Sequence, residues 1–139
     1  MKVVLPKGYR PSADEPFMND MQREFFRQKL VAWREELLRE SAETLTNLKD
    51  GGMTVPDLSD RASAEADKSL ELRTRDRMRK VISKIDAALD RIEDGTYGYC
   101  EETGEPIGLE RLIARPIATM TVEAQERHER MEKTYNDDN

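Results

Sequence analysis

The sequence predicts a mainly α protein: a long antiparallel coiled-coil hairpin projecting from a small globular head. The head would contain a degenerate zinc-ribbon-like α/β segment and a C-terminal helix. Three observations predict this. Two stretches, 19–49 and 60–94, contain neither proline nor glycine, and each carries a single apolar stripe. Hydrophobic and charged residues each make up 37% of the 139 residues, which suits a thin apolar seam better than a large compact core. After Gly95 the pattern changes to TYGYCEETGEPIGLERL, short β-capable pieces around a Gly/Pro turn.

The elements follow in order. Residues 1–18, with prolines at 6, 11 and 16, read as a loosely held N-terminal arm. Asn19 is placed to cap the first helix, with Gln22 three residues on in capping-box position. The stripe of that helix is Phe26, Leu30, Trp33, Leu37, Thr44 and Leu48, weakening near Ser41. A helix of about 30 residues is about 45 Å long. The run DGGMTVPDLSD ends it: Asp50-Gly51-Gly52 stops the helix, Pro56 prevents continuation, and Ser59 or Asp60 can cap the next. The second stripe is Ala62, Ala66, Leu70, Met78, Val81, Ile85, then Leu89 or Ala88, and Ile92, with Gly95 as the stop. The domains are therefore the arm (1–18), the hairpin (19–95, tip at 50–58) and the head (96–139), whose last helix starts at Thr119 or Thr121 and runs to about Lys133.

Composition excludes several classes. The net charge of −6 disfavours a general nucleic-acid binder, because phosphate attraction needs a basic surface. A partner with positive surface, or a protein site holding cations, fits better. No run approaches the ~20 apolar residues of a membrane span, and MKVVLPKGYR lacks a signal-peptide core, so a cytoplasmic protein is expected. One cysteine makes no internal disulfide.

Cys100 begins what is spaced as a four-cysteine zinc ribbon, whose other ligands would fall at Thr103, Thr121 and Ala124. Two hydroxyls and a methyl are not zinc ligands, and Glu101, Glu102 or His128 are poor substitutes, so no metal and no zinc are expected. The segment would be held by packing of Tyr97, Tyr99, Ile107, Leu112, Ile117 and Met120. No basic residue lies within three positions of Cys100 to activate it, so it reads as an inert remnant. No catalytic pairing or phosphate loop is visible, and the chain is not expected to be an enzyme. Asp57 and Asp60 are either a turn residue and a helix cap, or a pair of acids presented at the end of the hairpin. Arg73, Arg75, Arg77, Arg79 and Lys80 form a basic run on an acidic chain, either a solvated face with pairs such as Glu71–Arg75 or a docking surface.

VPDLSDRASAEADKSLELRTRDRMRKVISKIDAALDRIEDGTYGYC followed by IGLERLIARP resembles the DksA/TraR family of bacterial RNA-polymerase-binding transcription factors, over roughly Met18 to His128. The resemblance implies a coiled coil entering the polymerase secondary channel, lowered open-complex stability, and action with ppGpp in the stringent response. It implies no sequence-specific DNA binding, no membrane and a monomer. By position it makes Asp57, Asp60 and Ala62 the tip acting near the polymerase active site, and Arg77 a polymerase contact. Val81, Lys84, Arg115 and Gln125 match positions of the ppGpp site, Gln125 standing where the family has a base. Cys100, Thr103, Thr121 and Ala124 match the zinc ligands, as in cysteine-poor, zinc-independent members. The alternatives are a Gre-like secondary-channel factor that stimulates transcript cleavage, and a passive coiled-coil adaptor.

Overall fold

The structure, a computed structural model, describes residues 3–50 and 58–137. Among the described residues there are four helices: α1 (Asp20–Asp50), α2 (Leu58–Asp94), α3 (Leu109–Ala114) and α4 (Val122–Asp137). No helix is long and apolar enough to cross a membrane among the described residues. The chain divides into two compact units, a terminal unit of Met1–Leu30 with Ala88–Asn139 and a hairpin unit of Val31–Ala87.

In the terminal unit, α1 starts as local chemistry dictates. Asn19 Oδ1 accepts from the Gln22 N–H at 2.8 Å, an N-cap. The reciprocal half of a capping box is shifted by one residue, since Gln22 Oε1 accepts from Met18 N–H at 2.8 Å and Asn19 N–H donates to Pro16 O. Gln22 is fully buried, and its amide also donates to Ser12 O at 3.2 Å and Glu15 Oε1 at 3.4 Å. Tyr9 OH donates to Glu15 Oε1 at 2.9 Å, and Tyr9 packs edge-on against Phe25. The expected loose arm is thus fastened by a polar knot around Gln22. These bonds satisfy a buried amide that would otherwise cost about 1–3 kcal/mol.

The apolar core of the same unit is Phe26, Leu30, Ala88, Ile92, Tyr97, Ile107, Leu112, Ala118 and Ala124. Phe26 tilts against Tyr97 with ring centroids 5.6 Å apart, and Tyr97 OH donates to Pro116 O at 2.8 Å. Gly95, at φ 85°, ends α2, while Thr96 and Tyr97 N–H both donate to Arg91 O. Gly98 is needed for a different reason. Its φ is 92°, and an added Cβ would meet Met18 Cγ at 3.0 Å. The ribbon is smaller than expected: among the described residues there is no strand, only an antiparallel bridge between Tyr99 and Pro106. Pro106 brings no N–H to a ladder, so pairing is limited to bonds such as Cys100 N–H to Glu105 O (2.8 Å) and Ile107 N–H to Gly98 O (2.8 Å). Thr121 caps α4, its Oγ1 accepting from Ala124 N–H at 3.2 Å, and the helix continues to Asp137, past the expected Lys133.

The hairpin unit is antiparallel: Arg34 early in it pairs with Asp86 late in it, Nε to Oδ1 2.7 Å. The buried Arg34 Nε makes this contact as an ion pair without the directed geometry of a hydrogen bond. Ile85 is buried, and Met78 and Val81 are half-buried on the same face, as expected. Beyond them the expected stripe fails, because Ala62, Ala66 and Leu70 are exposed. Inward positions continue instead in heptad register through Thr74, Glu71 and Ala64, all half-buried.

Candidate functional site

The hairpin unit carries a face of cations. Arg73, Arg77, Lys80 and Lys84 are spaced 4, 3 and 4 residues apart on α2 and are all exposed. At 100° per residue they occupy an arc of about 60°, and Leu70, 59% exposed, extends it to about 80°. None makes an ion pair among the described residues. The expected Glu71–Arg75 pair is also not formed among the described residues, where both side chains are half-buried. Arg77 and Lys84, expected separately as a polymerase contact and a ppGpp ligand, therefore share one surface. The signal that finds Arg73 and Lys80 with them is the helical spacing, which is legible in the sequence once the seam is known.

The tip falls largely outside the described residues. Asp57 is not described, and Ala62 is exposed. Because α2 begins at Leu58, Ser59 and Asp60, expected as its N-cap, lie within its first turn. Of the remaining predicted residues, Val81 and Lys84 belong to the hairpin unit, whereas Arg115 and Gln125 belong to the terminal unit. Arg115 is exposed just after α3, and Gln125 is half-buried in the first turn of α4, where its amide donates to Glu129 at 3.1 Å.

The four zinc-ligand positions are linked: Thr103 and Thr121 donate to the Cys100 thiol, and Ala124 N–H donates to Thr121 Oγ1. Burial pushes the Cys100 thiol up, but hydrogen bonds from the Thr103 hydroxyl and from the N–H groups of Thr121, Thr103 and Glu102 outweigh it and bring the thiol down to about 7. Cys100 is only 3% exposed, and Thr121 and Ala124 are also buried. The thiol is thus held below the ordinary cysteine value, while its burial shields it from solvent. Backbone donors do what a neighbouring cation does elsewhere, and a search for basic neighbours misses them. His128 lies between Glu102 (Nε2 to Oε1 3.5 Å) and Glu132 (Nδ1 to Oε1 3.4 Å) on the surface.

Comparison with known proteins places this geometry. Residues 22–92 match the family model of the DnaK suppressor protein DksA, N-terminal domain, and residues 95–130 match the prokaryotic dksA/traR C4-type zinc finger. The chain is 69% identical to the RNA polymerase-binding transcription factor DksA of Caulobacter vibrioides over 136 residues, covering 98% of this chain and 96% of that one. It is 43% identical to the protein of the same name from Escherichia coli, over 96% and 90% of the two chains. The solved structure of transcription factor DksA2 from Pseudomonas aeruginosa superposes with a TM-score of 0.80 at 42% identity, covering 89% of this chain and 94% of that one.

These matches correct one expectation. The zinc-finger match over 95–130 makes zinc binding a property of the family to which this segment belongs, so the expectation that zinc has no part does not stand. The side chains at the four positions are one thiol, two hydroxyls and a methyl, which do not fit a tetrahedral Zn²⁺. Among the described residues no three His, Cys, Asp or Glu side chains converge on a cation position. With the two family models spanning 22–92 and 95–130, and a relative 69% identical along 98% of this chain, the chain belongs to the DksA/TraR family.

Proposed function

We propose that this protein is a non-enzymatic transcription regulator that binds bacterial RNA polymerase as a monomer in the cytoplasm. The observation that carries the reading is the cation face of α2, without ion pairs among the described residues, on a chain of net charge −6. Such a face is a solubility surplus in an isolated helix, but here it is concentrated on one side of one helix, suited to an acidic protein surface. The polymerase-binding names of the relatives supply the partner. In this reading the hairpin enters the secondary channel. Asp57, Asp60 and Ala62 then act near the active site, where negative charge perturbs bound Mg²⁺ or mobile elements and lowers open-complex stability.

In the same reading ppGpp is the effector, held against the polymerase with Lys84 and Arg115. Charge-assisted hydrogen bonds to phosphate contribute about 1.5–3 kcal/mol each, and Gln125 offers only a neutral amide. The test is promoter transcription with purified polymerase, with and without ppGpp. Inhibition at an unstable promoter, deepened by ppGpp and weakened in Lys84→Ala and Arg115→Ala, is the expected result. Shortening of RNA in stalled complexes would instead select a cleavage factor. Normal regulation by Asp57→Asn and Asp60→Asn would select a passive adaptor.

A further inference from the structure

The hairpin unit changes character along its length. On α2 the half-buried and buried positions include two heptad series, 64, 71, 78, 85 and 74, 81. Ile85, Val81 and Met78 fill the first part with large apolar side chains. Further along, Thr74 and Glu71 are polar, Ala64 offers only a methyl, and Asp67, next in the second series, is exposed. The half-buried positions of α1 within 38–46 are Ser41, Thr44 and Leu45. Among the described side chains of 31–46 and 62–84 none is buried. The chain does not lack leucines in this region but holds them out of register: Leu38, Leu70 and Leu72 are 44%, 59% and 48% exposed. Thr44, Thr46 and Thr74 turn their hydroxyls back to the carbonyls four residues earlier, at 2.9, 3.1 and 3.0 Å, which loosens the helices that carry them.

Helical stability in proteins comes mainly from packing of an apolar face, and a segment with few buried apolar contacts opens locally at low cost. We propose that residues 38–46 and 62–77 form a conformational device, a distal hairpin segment that opens and recloses independently of the remainder, with Glu71 as the residue that holds its seam weak. A partner that accepts only the closed segment then binds with its affinity reduced by the closed fraction. Only this last step rests on the polymerase reading.

The experiment is residue-resolved hydrogen exchange on the full free chain, beside the transposed variant L70E/E71L. The transposition keeps composition and net charge and exchanges which residue faces inward; because it also sets a carboxylate three residues before Arg73, Glu71→Leu is followed beside it as the variant without that pair. In the natural sequence, amides of 70–77 should exchange at least ten-fold faster than those of 84–92. Transposition should slow 66–76 at least ten-fold and leave 84–92 unchanged. Should the transposed chain self-associate, Glu71→Ala gives the same direction at about two- to three-fold. Equal exchange in the two regions of the natural chain, or no slowing in any of the variants, would overturn the device. In a parallel arm, Glu71→Leu should tighten binding to purified polymerase several-fold. Failure of polymerase binding with the exchange pattern intact would instead remove the proposed partner, which keeps the two failures apart.

Discussion

The terminal unit and the hairpin unit solve the problem of stability in opposite ways. In the terminal unit, apolar residues from α1, α2, α3 and the start of α4 are buried together with Gln22, and its polar groups are consumed internally. In the hairpin unit Ile85 is the one buried apolar residue among the described side chains, while cations and leucines lie on the surface. The difference teaches that the two stretches of one continuous helix, α2, have different tasks. The part in the terminal unit holds a core, and the part in the hairpin unit presents a surface.

The largest effect that would break this comparison is on stability. Leu112→Ala should cost about 2–5 kcal/mol and lower the thermal midpoint by many degrees, because Leu112 is fully buried. Leu70→Ala, at 59% exposure, should change stability by no more than about 0.5 kcal/mol. Similar losses from the two in thermal denaturation would erase the contrast. Next in size is Gln22→Ala, which leaves Met18 N–H and Ser12 O without their partner and should cost about 1–3 kcal/mol. Protease sensitivity of the segment before Met18 should rise with it.

Local signals make much of this legible. Asn19, Gly95 and Thr121 act on the backbone within a few residues, and each begins or ends a helix within one residue of where the sequence puts it. The Gln22 knot is not legible, because it needs Ser12, Glu15 and Met18 to converge through chain reversals that no periodicity records. The distal seam is misread from the sequence because Ala62, Ala66 and Leu70 offer an apolar alternative, offset from the inward positions Ala64, Glu71 and Thr74. Of the proposed site residues, Arg77 and Lys84 are singled out by the resemblance. Their joining into one face with Arg73 and Lys80 requires the register. The lowering of the Cys100 thiol is hidden because its causes include backbone N–H groups from residues as distant as Thr121.

A smaller effect sharpens the picture of the knot through pH. Glu15 is held below the usual carboxylate range by hydrogen bonds from Ser12 N–H and Tyr9 OH. Its contribution to stability is therefore present above the ordinary carboxylate value and lost as pH falls through its lowered one. Tyr9, pushed up by burial and by Glu15 to about 12, behaves inversely. Its contribution is complete below the ordinary tyrosine value of about 10 and is lost as pH rises through about 12. In Tyr9→Phe the Glu15 carboxyl, followed by NMR titration, should move back up toward its ordinary value. An unmoved titration would mean that the Tyr9 bond does not hold the segment.

The proposal that the exposed cation face of α2 docks on an acidic patch of the polymerase is tested most directly by charge reversal. Arg73, Arg77, Lys80 and Lys84 are changed together to Glu, and equilibrium binding to purified bacterial RNA polymerase is measured across a range of salt. The side chains are exposed and without ion pairs among the described residues, so the thermal midpoint of the terminal unit should stay in place. Polymerase affinity should fall at least a hundred-fold at low salt, and the natural protein's salt dependence should flatten or reverse. A variant that binds polymerase as tightly as the natural protein, with the same salt dependence, would contradict the account.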